Sequence, residues 1–265
     1  MSKEESSGGI KNFFIPVLVI LAIGLAFFSG TLWQKVRNLE NGTKTTTSDV
    51  TEKTNPTVSL NTIKGLFDKD LIKIGNAKSK VIFVEIADPS CPYCHIADGN
   101  NPELAKSVGA TFQYTSDGGT YIPPGIEIEK LVKDGKASYV YVYYPGHGNG
   151  EMTMKALYCA NEKGKFWEAK ALIMNNDGYE LSNTTVQNDV SKAGTVAEFL
   201  KSVVDYNFMK SCLESDKYDS RLTSDSDVAV ELGIQGTPSF YVNETNFPGA
   251  YSYKEMQSVV DAALK

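Results

Sequence analysis

A strongly apolar run that leads directly into a cysteine pair constrains this chain more than any other feature. The run Lys80–Ala87 (KVIFVEIA) is rich in β-branched residues, which predicts a strand buried on both faces. A turn, DPS, and then the motif CPYCH at 91–95 follow it. The motif has two chemical interpretations. C-x-x-C-H attaches a c-type haem, whereas C-x-x-C after a strand is typical of dithiol redox sites.

The redox interpretation assigns a role to each residue of the motif. Exchange of disulfides needs a thiolate nucleophile and a second thiol that resolves the mixed disulfide. Cys91 would lie at the start of a helix, where free N–H groups lower the pKa of a thiol. Pro92 suits a first helical turn because it has no N–H to lose. We therefore predict Cys91 as nucleophile, Cys94 as resolving thiol and His95 as a positively charged neighbour rather than an axial haem ligand.

Glu85 is the only charged residue between Lys80 and Asp88. An acid on a buried strand is costly unless it is hydrated or transfers protons. Its position six residues before Cys91 indicates that it lies beneath the motif, where it would accept a proton from Cys94. The alternative is a glutamate on an edge strand that faces water.

The order of predicted elements indicates an α/β domain. A second strand is predicted over 137–144, a mainly helical region over about 151–232, a strand over 239–242 and a closing helix over 253–265. A helical block inserted into an α/β sheet domain fits this order. A cytochrome c would be mostly helical and would not need a buried strand directly before its cysteines.

Several landmarks together resemble thioredoxin-fold proteins of the DsbA-like class. They are the strand with its acid, CPYC, the helical stretch LYCANEKGKFWEAKALIM at 157–174, SCLESDKYDSRL at 211–222 and ELGIQGTPSFYVN at 231–243. The resemblance covers roughly Val81 to Lys265. It implies a thioredoxin fold with an inserted helical subdomain and thiol–disulfide oxidoreductase activity.

The resemblance also implies roles for individual residues. It predicts a cis bond between Thr237 and Pro238, packed against the cysteines, with backbone that pairs with the substrate peptide. Thr237, Pro92 and Tyr93 would contact the substrate, and Glu85 matches the buried acid of the class. The Pro92-Tyr93 dipeptide differs from the usual Pro-His pair, so the direction of electron flow, as oxidase, isomerase or reductase, stays open.

Two further cysteines, Cys159 and Cys212, fall in the predicted helical block. Related proteins with such a pair join it in a structural disulfide, and these positions resemble that pair. Two separate buried thiols and a second redox pair are the alternatives. A structural disulfide would persist in an oxidising compartment.

Two features are predicted to be peripheral. The loop-rich segment 99–135 is interpreted as a surface insertion. His147, in the loop PGHGNG at 145–150, is interpreted as a plain loop residue. A metal site needs three or four ligands, and the chain has only two histidines. We therefore predict neither a metal nor another cofactor.

The N-terminal region predicts attachment to a membrane. None of the 21 residues of 13–33 is charged, and about 20 apolar residues span a bilayer core. No small-x-small cleavage site is clear, so we predict an uncleaved anchor rather than a removed signal peptide. Residues 1–12 would be a cytoplasmic N-terminus, 34–60 a polar linker and 61–265 the folded domain.

The leading hypothesis is a single-pass membrane protein whose oxidoreductase domain is extracytoplasmic. Its partners would be cysteine-containing extracytoplasmic polypeptides, the bilayer around 13–33 and a quinone-linked membrane redox protein of DsbB-like or VKOR-like type. A net charge of −6 without a strongly basic block argues against nucleic acid as a partner. The alternatives are a c-type haem electron carrier and a binding module that does not cycle its thiols.

Overall fold

One mixed sheet organises the fold. The computed structural model describes residues 58–265. The sheet has the order β1-β3-β2-β4-β5; β2 and β3 are parallel and the other pairs are antiparallel. The strands are β1 Ile72–Ile74, β2 Ile82–Ala87, β3 Ser138–Tyr143, β4 Ser239–Val242 and β5 Thr245–Pro248. The three predicted strands are present, and the short outer strands β1 and β5 are additions to the prediction.

The central strand is β2, as its continuous apolar sequence requires. All six of its residues are buried, because β3 and β4 flank it and side chains cover both faces. Glu85 stands opposite Tyr141 on β3 and Phe240 on β4. The alternative of an edge-strand glutamate facing water is therefore wrong.

Helices cover both faces of the sheet. Their bounds are α1 Leu60–Gly65, α2 Pro92–Asp98, α3 Pro102–Val108, α4 Pro124–Lys133, α5 Glu151–Glu162, α6 Phe166–Ile173, α7 Asn176–Glu180, α8 Ala193–Phe199, α9 Tyr206–Leu213, α10 Asp219–Glu231 and α11 Tyr253–Leu264. Helices α5 to α10 all lie between β3 and β4. The predicted helical block of about 151–232 is thus helical in the structure. It also contains a π-helical turn, Leu181–Val186.

The two faces of the sheet carry different hydrophobic cores. On one face, alternate strand residues such as Phe83, Tyr139 and Phe240 pack with the inserted helices. On the other face, residues such as Val84 and Val140 pack with α1 and the end of α10. The alternation of side chains along each strand produces this division.

A disulfide closes the helical block. Cys159 on α5 is bonded to Cys212 on α9, with 6.2 Å between their Cα atoms. The bond closes a loop with a sequence separation of 53 residues. On the chain-entropy model, closing such a loop stabilises the fold by about 4 kcal/mol.

The segment 99–135 is only partly the surface insertion that was predicted. It contains α3 and then α4, and Ile128 and Val132 of α4 belong to the main core. Tyr114 and Tyr121 form a smaller core with residues of α2 and α3. The prediction fails because proline and glycine are typical of loops, whereas Pro102 and Pro124 each begin a helix, where proline is tolerated.

The expected N-terminus (1–12) and membrane anchor (13–33) lie outside the described residues, as does the linker (34–60) up to residue 57. Within 58–265, no helix combines the length and the apolar character needed to cross a bilayer.

Candidate active site

The redox motif begins where β2 ends. Cys91 is the N-cap of α2, and its carbonyl accepts hydrogen bonds from the N–H groups of Cys94 at 3.0 Å and His95 at 3.2 Å. Pro92 occupies the first turn, as predicted from its missing N–H. Both cysteines are free thiols in this structure. Cys91 is 5% exposed and Cys94 is fully buried, so an incoming group reaches Cys91 first.

The surroundings of the two thiols separate their acidities. The hydrogen bond from the Cys94 thiol is the main influence that lowers the pKa of Cys91 to about 6, while burial opposes it. Thr237 and the N–H groups of Cys94 and Tyr93 lower it further. Burial raises the pKa of Cys94 well above its ordinary value. At neutral pH the pair therefore holds one thiolate, at the more accessible sulfur.

The loop before β4 faces this sulfur. The Thr237–Pro238 peptide bond is cis, as the resemblance implied. Because Ser239 pairs with Ile86, the start of β4 lies beside the end of β2. This pairing brings the Thr237 carbonyl to 3.4 Å from Cys91 Sγ, which donates a hydrogen bond to it when the thiol is protonated.

Glu85 lies in a buried charged cluster. Its Oε2 accepts hydrogen bonds from the Tyr139 hydroxyl at 2.6 Å and from Lys170 Nζ at 3.2 Å. Lys170 also pairs with Asp98 at the end of α2. Burial raises the pKa of Glu85, and the positive charge of Lys170 opposes that rise. Glu85 Oε1 is buried and has no hydrogen-bond partner among the described residues.

Lys170 and Asp98 were not predicted as part of the site. Burial alone would lower the pKa of Lys170, but Asp98 and Glu85 outweigh it and hold that pKa above its ordinary value. The sequence carried one signal: Lys170 shares a helical face with the core residues Phe166 and Ile173. A lysine on an apolar face predicts a buried ion pair, although it does not identify the partners.

His95 does not have the predicted charge. It is fully buried, with Nε2 2.8 Å from the Pro89 carbonyl and Nδ1 2.9 Å from the Met174 carbonyl. Burial lowers the pKa of the ring, which leaves it neutral at pH 7. The expectation of a positive neighbour for Cys91 is thus wrong. A neutral imidazole donates one proton, so one contact is a hydrogen bond and the other a close approach.

Tyr93 forms the exposed border of the site. It follows Pro92 directly, its side chain is 43% exposed, and its ring centroid lies 5.5 Å from that of Phe112.

His147 is an exposed residue of the loop after β3. Within 58–265, no group of three or more His, Cys, Asp or Glu side chains is placed to hold a metal ion.

Comparison with known families agrees with this geometry. Residues 127–262, just over half of the chain, match a family model described as Thioredoxin. The chain belongs to the thioredoxin family. The matched range includes the cis bond before Pro238 but begins after the two cysteines of the motif.

Individual relatives of this thioredoxin-family protein are distant. It is 24% identical to Disulfide bond formation protein D of Bacillus subtilis, over 72% of this chain and 76% of that protein. It is also 24% identical to Na(+)/H(+) antiporter NhaA 3 of Salinispora tropica, over 74% of this chain and 25% of that protein. The chain spans only 25% to 61% of the length of the first curated relatives that it matches.

Solved structures share the fold. The crystal structure of Wolbachia pipientis alpha-DsbA1 superposes with a TM-score of 0.54 at 18% sequence identity, over 74% of this chain and 91% of that one. The thioredoxin-family fold and the position of His95 both disfavour the haem alternative. An axial ligand needs a free ring nitrogen, whereas both nitrogens of His95 face carbonyl oxygens in the interior.

Proposed function

We propose that this protein is a membrane-anchored, extracytoplasmic thiol–disulfide oxidoreductase that oxidises cysteines of secreted or surface polypeptides. The observation that carries the proposal is the environment of Cys91. Cys91 is the N-cap of a helix and lies beside a second, buried thiol. Its thiol has a pKa of about 6 and faces the carbonyl of Thr237, the residue before the cis proline. The name of the Bacillus subtilis relative, a disulfide bond formation protein, supports the same activity.

The reaction starts from the Cys91–Cys94 disulfide. A substrate thiolate attacks Cys91 Sγ, the Cys91–Cys94 bond breaks, and Cys94 leaves with the electron pair and takes up a proton. A second substrate thiolate then attacks the substrate sulfur of the mixed disulfide. Cys91 leaves as a thiolate, so the substrate gains a disulfide and the protein gains two electrons. The low pKa of Cys91 makes it a good leaving group, which favours oxidation of the substrate.

The exposed border of the site is proposed to hold the substrate polypeptide. Pro92 and Tyr93 lie between the two cysteines, so a polypeptide bonded to Cys91 would contact the exposed Tyr93 ring. The backbone at Thr237 would pair with the substrate, and Pro238 would keep that backbone directed toward Cys91.

Glu85 is proposed to accept the proton of Cys94 when that thiol must become a nucleophile. Its buried Oε1 supports this role, because it has no hydrogen-bond partner within residues 58–265 and is available to a proton carried by the thiol or by a water molecule. The raised pKa of Glu85 brings its proton affinity closer to that of a thiol.

The proposed location follows from chemistry and from the N-terminal sequence. A structural disulfide such as Cys159–Cys212 persists in an oxidising compartment. The uncharged segment 13–33 would attach the domain to the membrane. A quinone-linked membrane partner is proposed to reoxidise the reduced pair, since each catalytic cycle leaves two electrons on the protein.

The pH dependence of alkylation at Cys91 tests the nucleophile. In the reduced protein, the iodoacetamide rate should be half-maximal near pH 6, rather than near the ordinary value of 9.0. Because the folded pKa is depressed, the Cys91 thiolate stabilises the reduced fold fully above about pH 9, and this contribution is lost as pH falls through about 6. Mass spectrometry would assign the label to Cys91.

Cys94→Ala is the matched control, since it removes the hydrogen bond that most lowers the pKa of Cys91. Its alkylation midpoint should move upward. A wild-type midpoint near pH 9, unchanged in Cys94→Ala, would contradict the proposed site. The reduction potential of the Cys91–Cys94 pair, measured against glutathione, then separates an oxidase from an isomerase or a reductase.

A further inference from the structure

A glycine-rich loop lies between the two parts of the candidate site. The loop Pro145–Gly150 (PGHGNG) directly follows Tyr144, after the end of β3. The sequence indicated only an irregular connection, and the proposed function uses none of its side chains. Its backbone nevertheless touches both the turn before Cys91 and the side chain of Thr237.

The contact with the cysteine turn passes through a buried carboxylate. Asp88 Oδ1 accepts hydrogen bonds from the N–H of Ser90 at 2.8 Å and from its hydroxyl at 2.7 Å. Asp88 Oδ2 accepts hydrogen bonds from the loop N–H groups of His147 at 2.7 Å and Gly148 at 3.1 Å. The N–H of Asn149 donates to Ser90 Oγ at 3.1 Å. Three successive loop amides therefore hold the turn that precedes the nucleophile.

The loop also packs against the cis-proline side. A Cβ atom at Gly146 would overlap the side-chain hydroxyl of Thr237, and one at Gly150 would overlap Asp88 Oδ1. Only glycine permits the loop backbone to approach both groups so closely. The close contacts with Thr237 and Asp88 therefore explain why positions 146 and 150 are glycine, although Gly146 itself is exposed.

We propose that the loop Pro145–Gly150 is a spacer that fixes the distance between the Cys91 turn and the cis-proline loop. Asp88 and Gly146 are then positioning residues for disulfide exchange at Cys91. This inference rests on the proposed function and deepens it.

Fixed spacing matters because exchange uses both sides of the site at once. The substrate sulfur bonds to Cys91 Sγ while its backbone pairs beside Thr237, and a displacement of one side misaligns the other. Thr237 also lowers the pKa of Cys91, so the same displacement would make Cys91 a poorer leaving group.

Gly146→Ala tests the spacer, because its added methyl group pushes against Thr237. We expect the pKa of Cys91, measured by thiolate absorbance at 240 nm, to rise. Because a thiol of higher pKa is a poorer leaving group, we expect dithiol oxidation to slow by about threefold. Gly65→Ala is the matched control. Gly65 closes α1, no atom lies within 4 Å of its added Cβ, and its titration and rate should equal those of the wild type.

A second variant keeps the test decisive if Gly146→Ala does not fold. Asn188 hydrogen-bonds to the loop and to the start of the next helix. Its Nδ2 donates to the Gly148 carbonyl at 2.8 Å, and its Oδ1 accepts from the Met152 N–H at 3.3 Å. Its φ of 64° suits glycine, so Asn188→Gly removes both bonds without backbone strain. It should raise the Cys91 titration midpoint and slow dithiol oxidation in the same direction.

A folded Gly146→Ala protein with the Cys91 titration midpoint and the dithiol oxidation rate of the wild type would contradict the proposal that the loop is a spacer. If that variant fails to fold, an unchanged titration midpoint and an unchanged oxidation rate in Asn188→Gly would contradict the proposal instead. A wild-type protein that does not oxidise dithiols would instead refute the proposed function, and the thiolate titrations would still decide the role of the loop.

Discussion

Cys91→Ser is expected to reduce dithiol oxidation to the rate without protein. A hydroxyl cannot form the mixed disulfide, and Cys94 is fully buried and has a raised pKa, so it cannot replace Cys91 as the attacked sulfur. The variant should still fold, because serine is close in size and Cys91 is the cap of α2, a position that serine favours; the reduced protein loses only the stabilisation that the thiolate provides. The measurement is oxidation of a reduced dithiol peptide, with thermal unfolding as the test of folding.

Cys94→Ser separates the two sulfurs. It keeps the nucleophile but lacks the resolving thiol, so a peptide activated as a mixed disulfide should remain bonded to Cys91 and be visible by mass spectrometry. Cys91→Ser should capture none. Residual oxidation by a folded Cys91→Ser protein, or capture of peptide by it, would refute the mechanism.

Lys170→Met is expected to lower the free energy of unfolding by about 3–5 kcal/mol at neutral pH. Methionine fills a similar volume, but Glu85 and Asp98 would be left as buried carboxylates without their shared cation. The pKa of Glu85 should rise further, because the positive charge that now opposes the effect of burial is removed. Urea unfolding of the reduced protein at pH 7 provides the measurement.

The triple variant Lys170→Met, Glu85→Gln, Asp98→Asn is the matched control. It removes all three charges together, so much of the lost stability should return. Lowering the pH should also reduce the deficit of Lys170→Met, since the stranded carboxylates become protonated. A Lys170→Met protein as stable as the wild type at pH 7 would show that the cluster contributes nothing to the fold.

Local sequence predicted the elements that carry the cysteines. The apolar run of β2 and the missing N–H of Pro92 are both visible within a few residues, and each indicates one local structure. The strand of Ser239–Val242 was predicted with its observed bounds, since the run SFYV has aromatic and β-branched residues and follows a proline, which is permitted at the start of a strand. These elements fix the position of Cys91 relative to β4.

The polar contacts of the site were not predictable in this way. Lys170 reaches Glu85 across 85 positions, and His147 reaches Asp88 across 59. Nothing near Lys170 in the sequence identifies which carboxylates it will meet. The charge of His95 was mispredicted for the same reason, because its neutral state results from burial by distant segments and not from the residues beside it.

The buried contacts of the helical insertion also restrict how this protein can move. Lys170 pairs with Glu85 of the sheet, the Met174 carbonyl meets the ring of His95, and Asn183 donates to the Ser90 carbonyl at 3.1 Å. A hinge motion that swung the insertion away from the sheet would break all of these contacts at once and strand a buried charge. These contacts therefore oppose a hinge between the insertion and the redox helix, and we expect a bulky substrate to be accommodated by rearrangement of exposed loops and of the Tyr93 side chain.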